Sequence, residues 1–195
     1  KRPLRMISGA AEFGHEYFDG SRAPVFNIIG GINNGWKVAM TTLGHERSGS
    51  ATISYLRYEK QFWSLVDLAR KHGKANDPVI RQQLAWAFSH VQVIRYQGLR
   101  ILAQIAAGKE PGPEASATKL FWSDYEQRLG EIAVGIEGAE ALVRAESTGP
   151  HEREPGDYIP NFWQTIFLFS RAHTIYGGTN EIQRNIIAER VLGMP

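Results

Sequence analysis

Cysteine is absent from this 195-residue chain, and that one absence excludes disulfide scaffolds, thiol nucleophiles and cysteine metal sites. A surplus of charge is lacking too: 22 Lys and Arg against 20 Asp and Glu leave a formal net charge of +2. Nucleic acid or an anionic membrane surface would call for clustered basic charge, so neither is an expected partner. No uncharged apolar run is long enough for a membrane span. Residues 1–7 carry neither the apolar core nor the cleavage site of a signal peptide. A reducing, cytoplasmic setting fits these absences. The first residue is Lys1 rather than an initiator methionine, and the sequence reads as a piece of a longer protein.

What is present suits one domain with a proper core: 43% of residues are hydrophobic and 22% charged. Residues 1–33 are glycine-punctuated and rich in β-formers and turn residues, and 25–31 form a candidate short strand. Two or three strands are marginal without partners. This stretch therefore reads as the end of a β-domain, incomplete in itself. From residue 34 to 195 the pattern is helical. A first helical stretch runs from about Trp36 to Lys71, with a possible interruption near Ser48. Asp77 and Pro78 then give a strong start signal, an acidic N-cap followed by proline at the first helical position. One face of the helix they open carries Leu84, Ala87, Phe88, Val91, Ile94, Gly98, Leu102 and Ile105. Phe121, Tyr125, Leu129, Ile132, Ile136, Ala139 and Val143 repeat at spacings of three and four in the next. The polar stretch 148–157 reads as a surface loop, and an aromatic segment follows it. The expected fold is all-α, an antiparallel up-down helical bundle preceded by a short β/loop segment.

The final stretch is the most specific. Tyr176, Gly177 and Gly178 make a tight turn, Thr179 caps the next helix, and Glu181, Gln183 and Arg184 follow. Taken alone, this is a helix N-terminus reached through glycines, an arrangement suited to anions. Its wording, 175–195, resembles the C-terminal signature of the acyl-CoA dehydrogenases, flavoenzymes that desaturate acyl-CoA thioesters. A second segment supports the resemblance. His15 to Pro24, then Gly35 and Trp36, then Leu43, Gly44, His45, Glu46 and Arg47, are similar in order to the family's junction between β-domain and helical domain. The two segments span nearly the whole chain.

The resemblance implies FAD as cofactor and an acyl-CoA as substrate. The family reaction needs a base to remove the α-proton while hydride leaves the β-carbon for the flavin. An α-C–H is a weak acid, so the base must be a carboxylate held close in a dry site. The thioester oxygen must also be polarised by hydrogen bonds. In the family the base occupies one of two positions. One follows the tyrosine of the C-terminal turn and is Gly177 here, which has no carboxylate. The other precedes an arginine on the first long helix, and here it is Glu46, the expected catalytic base, with Arg47 structural. The resemblance also assigns Gly178, Thr179 and Glu181 to the cofactor and places Tyr176 and Gly177 beside the substrate. It further implies a homotetramer or mixed tetramer and an electron-transferring flavoprotein as acceptor.

Two family motifs are missing. Ala69 stands where an arginine is often found before a Phe-Gly pair, with Arg70 displaced by one and His72 replacing the aromatic. No Gln-x-x-Gly-Gly-x-Gly turn is found around residues 140–150. These departures motivate one alternative, a structural or partner subunit of a mixed acyl-CoA dehydrogenase oligomer with an incomplete flavin site; a related acyl-CoA oxidase is a further alternative that no residue here decides. His90, His151 and His173 show no metal-like spacing, so each reads as a packed or surface histidine and no metal is expected.

Overall fold

The computed structural model describes residues 2–11, 13–51, 54–109, 112–113, 115–143 and 160–195, with side chains for all of these except Arg2 and 44–51. Among the described residues strands occur only near the start, as β1 (Arg2–Leu4) and β2 (Phe13–His15). They pair antiparallel with Arg2 opposite His15 and Leu4 opposite Phe13. The candidate strand at 25–31 is not one. Val25–Asn27 forms a single 3₁₀ turn behind Pro24, and Gly30 and Gly31 take positive φ. Proline fixes the entry and the glycines reverse the chain, which leaves no extended run to pair.

Six α-helices follow: α1 (Gly35–Ala51), α2 (Ser54–Lys71), α3 (Pro78–Ala106), α4 (Ala115–Glu137), α5 (Phe162–His173) and α6 (Asn180–Arg190). Asp77 caps α3 as the sequence implies, accepting hydrogen bonds from the backbone N–H groups of Val79 and Ile80 at 2.8 and 3.0 Å. α5 starts on a capping box: Asn161 accepts from the Gln164 N–H, and Gln164 accepts from the Asn161 N–H.

Cross-contacts fix the helix directions. Tyr58 near the start of α2 meets Tyr125 on α4, and Lys74, just beyond the end of α2, donates to the Ile136 carbonyl near the end of α4 at 2.6 Å. Those two helices therefore run parallel. α3 lies antiparallel between them, with Phe88 on Phe62 and His90 stacked on Phe121. α5 runs antiparallel to α4: Asn161 at its start reaches Glu137, while Gln127 reaches the Ser170 carbonyl and Thr174 at its end. The bundle is thus up-down-up-down, and α4 lies at its centre. Tyr125, Leu129, Ile132, Ala133 and Ile136 of α4 are all buried.

The inward face of α3 is rotated from the expected one. Ala87, Val91, Ile94, Gly98 and Ile101 are buried, whereas Phe88, Leu102 and Ile105 are 44%, 49% and 43% exposed. The buried set keeps its own three- and four-residue spacing, and the other three lie on the flank beside it. Val143 is also exposed, since α4 stops at Glu137 and a 3₁₀ turn, Gly138–Leu142, carries the chain away.

Gly130 allows α4 and α5 to approach closely. A Cβ there would lie 2.8 Å from the Phe167 Cα and 3.0 Å from its backbone nitrogen, whereas one at Gly135 would meet nothing within 4 Å. In the full-length protein, Gly130→Ala should lose about 1–3 kcal/mol, because the added methyl pushes on backbone that cannot yield. Gly135→Ala should gain about 1 kcal/mol from helix propensity. Urea unfolding of both variants checks this; equal effects at the two sites would refute the close-approach argument.

Candidate functional site

The C-terminal turn is built from internally satisfied backbone. Asn180 N–H donates to the Thr174 carbonyl at 3.0 Å, closing the loop before α6 begins. Gly177 and Gly178 adopt φ of 68° and 90°, a left-handed region that side chains rarely enter. Thr179 is the N-cap of α6, and its hydroxyl accepts from the Ile182 N–H at 3.3 Å. The buried Gln183 folds back beneath the turn, its amide donating to the Gly177 carbonyl at 3.1 Å and the Gly178 carbonyl at 3.4 Å. A Cβ on Gly178 would strike that amide at 2.4 Å; one on Gly177 would meet nothing within 4 Å. Gly178 is therefore favoured by its left-handed backbone and by the Gln183 amide packed against it, while Gly177 leaves open space beside Tyr176.

Tyr176, Gly177, Gly178, Thr179 and Glu181 are thus gathered in one turn. Glu181 sits in the first turn of α6, fully exposed, 3.6 Å from Arg184. A hydrogen bond from its own backbone N–H, and then one from Thr179, hold its carboxyl below the usual range, as the positive end of a helix favours. Glu46 and Arg47 lie within α1, but their side chains are outside the described residues, as is His151.

α6 is fastened to α4 through Asn180. Lys119 donates to its side-chain oxygen at 2.7 Å and Ser123 to the same atom at 3.2 Å, while its amide donates to Asp124 at 3.1 Å. Burial lowers the Lys119 pKa. The position of the turn is therefore set from the central helix.

One polar cluster went unnoticed in the sequence. Glu126, on α4, is only 2% exposed. Arg57 of α2 donates to one carboxylate oxygen, and Gln61 donates to the same oxygen at 3.4 Å. His173, the last residue of α5, places Nδ1 2.5 Å from the other oxygen. Burial alone would raise the Glu126 pKa, yet His173 and then Arg57 outweigh it and hold the carboxyl below its ordinary 4.5. The phenols of Tyr58 and Tyr125 are pushed well up, first by burial and then by the Glu126 charge. His173 carries the cluster to the turn: its ring meets the Tyr176 ring edge-on at 5.4 Å and those of Trp122 and Phe169 at 5.1 and 5.3 Å. His173 is thus a packed histidine, and His90 is another, its Nδ1 2.8 Å from the Trp86 carbonyl. No group of three or more potential metal ligands occurs among the described residues, and no helix among them is long and apolar enough to cross a membrane.

Between α2, α5 and Tyr176 lies a half-open cleft of about 420 Å³. Phe162, Ile166 and Phe169 line it from α5, and Arg57, Lys60 and Gln61 from α2. Glu126 and His173 reach it from within the bundle.

The helical bundle and its capped glycine turn have the form of one enzyme family's C-terminal domain. The family profile described as "Acyl-CoA dehydrogenase, C-terminal domain" matches residues 33–192, and the chain belongs to the acyl-CoA dehydrogenase family. It is 39% identical over 194 residues to acyl-CoA dehydrogenase IpdE1 of Mycolicibacterium smegmatis, covering 100% of this chain and 45% of that protein. The solved structure of the Tcur3481-Tcur3483 steroid ACAD superposes with a TM-score of 0.80 at 28% identity, over 99% of this chain and 48% of that one. The ChsE4-ChsE5 complex from Mycobacterium tuberculosis gives a TM-score of 0.70 at 25% identity, over 92% of this chain and 46% of that one. The chain therefore spans about half the length of these relatives.

The Glu126 cluster has a pH signature. A carboxyl held below its unfolded value contributes stability that is fully present above pH 4.5 and is lost as pH falls through the lower folded value. Glu126→Gln in the full-length protein should cost about 1–3 kcal/mol at pH 7, since it weakens the hydrogen bonds to a buried carboxylate while the half-exposed Arg57 can turn to solvent. That deficit should narrow as pH drops below 4.5. Urea unfolding of both proteins between pH 7 and pH 3 measures it, and a deficit that stays constant across this range would show that Glu126 is not ionised in the fold.

Proposed function

We propose that the full-length protein is an FAD-dependent acyl-CoA dehydrogenase, removing the α-proton of an acyl-CoA thioester with Glu46 while the β-hydride passes to the flavin. The observation that carries this is the Tyr176–Gly177 turn: the place for a base after the tyrosine holds a glycine with open space around it, and Glu46 before Arg47 on α1 supplies the carboxylate instead. When bound, the flavin supplies the hydride acceptor. The residues present fit such a group on the exposed side of the turn. Gly177 leaves its backbone approachable, Thr179 fixes the start of α6, and Glu181 stands free of burial at the helix end. Gly178 contributes by permitting the Gln183 clamp that holds the turn rigid. Tyr176 lies between the turn and the cavity, so an acyl group passing Gly177 meets it first.

The setting we infer is cytoplasmic, with an electron-transferring flavoprotein taking the electrons. The division into residues 1–33, as the end of a β-domain, and 34–195, as the helical domain, belongs to this reading. One structural relative is titled a steroid ACAD, and the open space at Gly177 agrees with a bulky acyl group. A second reading has a specific observation in its favour: both structural relatives above are named as two-component assemblies. Here the chain would be one subunit of a mixed oligomer, completing or completed by a relative. Flavin bound per chain in the protein purified alone separates this from a self-sufficient homotetramer, and peroxide formation would mark an oxidase.

The test of the base is anaerobic flavin bleaching on mixing the full-length enzyme with acyl-CoA. Glu46→Gln should keep fold and flavin but slow bleaching by about 10²–10⁴-fold. Gly177→Glu in that background should restore a part only, because glutamate must adopt the left-handed backbone now held by glycine. Bleaching of Glu46→Gln at the wild-type rate would remove Glu46 from the mechanism.

A further inference from the structure

Tyr176 carries the glycine turn to the cleft between α2 and α5. Its ring stands perpendicular to that of His173, at 89° with the centroids 5.4 Å apart. Phe169, one helical turn earlier on α5, flanks both rings. His173 is itself fixed from the centre of the bundle. Trp122 of α4 meets it at 5.1 Å, and its Nδ1 sits 2.5 Å from Glu126 Oε2. Atoms so close must share a hydrogen. An ionised carboxylate only accepts, so Nδ1 carries it. That contact sets the plane of the imidazole as well as its place.

Packing alone does not call for this arrangement. A phenylalanine at the end of α5 would offer Tyr176 a similar ring, and apolar side chains often replace a buried ion cluster without loss of stability. What the cluster adds is a single orientation. The chain of contacts is short: Glu126 on the central helix, His173 on Glu126, Tyr176 on His173, and then Gly177. In the reading above the acyl group passes Gly177, so the angle of Tyr176 shapes one side of that passage.

We propose that Glu126 and His173 are positioning residues for the chemical step: Glu126 orients His173, and His173 holds Tyr176 at the angle that keeps the acyl group aligned with the base. The inference rests on the acyl-CoA reading above and deepens it.

The test follows Tyr176 directly and the chemistry separately. The full-length holoenzyme, with any subunit that copurifies, is labelled with 3-fluorotyrosine and read by fluorine NMR. The Tyr176 line is the one lost in Tyr176→Phe. His173→Asn leaves an amide nitrogen near the Nδ1 position to serve Glu126 but removes the ring that Tyr176 meets. Glu126→Gln leaves every ring in place and loosens the hold on His173. Both should shift or broaden the Tyr176 line. On anaerobic mixing with acyl-CoA, the saturating bleaching rate per bound flavin should fall about 10- to 100-fold in His173→Asn and about 3- to 10-fold in Glu126→Gln. The concentration giving half that rate should stay within about threefold, because the loss is in alignment rather than in binding. A merely structural role would instead lower flavin content or weaken substrate binding at an unchanged rate per flavin. That result, or a Tyr176 line unmoved in both variants, overturns the proposal. Should His173→Asn not fold, Glu126→Gln decides alone. If the wild type itself does not bleach, the dehydrogenase reading falls, and the Tyr176 line still upholds or overturns the tie from Glu126 through His173 to Tyr176.

Discussion

The rest of the site depends on one buried carboxylate. Glu126 lies in the middle of the central helix, where an isolated charge would carry a prohibitive desolvation cost. It is tolerated because Arg57 and Gln61 reach it from α2 and His173 reaches it from the end of α5. Apolar contacts between helices can slide by a fraction of a turn at little cost, whereas a buried ion cluster has one satisfactory register. Glu126 therefore fixes where α2 and α5 stand along α4, and with them the end of α5 from which the glycine turn departs.

The turn is then fixed from its other end. Asn180 opens α6 and is held by Lys119, Ser123 and Asp124, all on α4. Six residues of turn, 174–179, thus span two anchors on the same helix, and Gln183 binds the carbonyls between them. A segment restrained at both ends and clamped in the middle can present Tyr176 and Gly177 at a defined place without regular secondary structure. The two anchors differ in kind. The Glu126 anchor is ionic, and the Asn180 anchor is mostly hydrogen-bonded around a lysine whose pKa burial lowers.

The sequence made the helices legible where one physical rule decided the local structure. Asp77 and Pro78 start α3 because capping is local. The stripe Tyr125, Leu129, Ile132 and Ile136 is buried because it is the face of α4 turned into the bundle. The Thr179 cap was readable for the same reason as Asp77. Where tertiary context decides, the reading failed. Phe88, Leu102 and Ile105 share a helical stripe with Ala87 and Val91, but which edge of the stripe faces α2 and α4 depends on how those helices sit. The segment after Pro24 has strand-forming residues, but Pro24 and the left-handed Gly30 and Gly31 turn it, and it pairs with no strand among the described residues. Glu126 was the largest omission. A glutamate next to Tyr125 in a helix ordinarily reads as a solvated residue, and its partners are 69 and 47 positions away, beyond the reach of any periodicity argument.

The outer surface carries a consequence of the same geometry. The rotation of α3 that buries Ala87, Val91 and Ile94 leaves Phe88, Leu99, Leu102 and Ile105 outward, together with Trp63 of α2. The opening segment likewise exposes Ile7, Phe18, Phe26 and Trp36. Single exposed apolar side chains need no explanation, but aligned ones on one long helix do. A side chain cannot satisfy two inward directions at once, so a 29-residue helix with apolar residues on two adjoining flanks can bury only one of them within its own bundle. The second flank of α3 gains stability only against another surface.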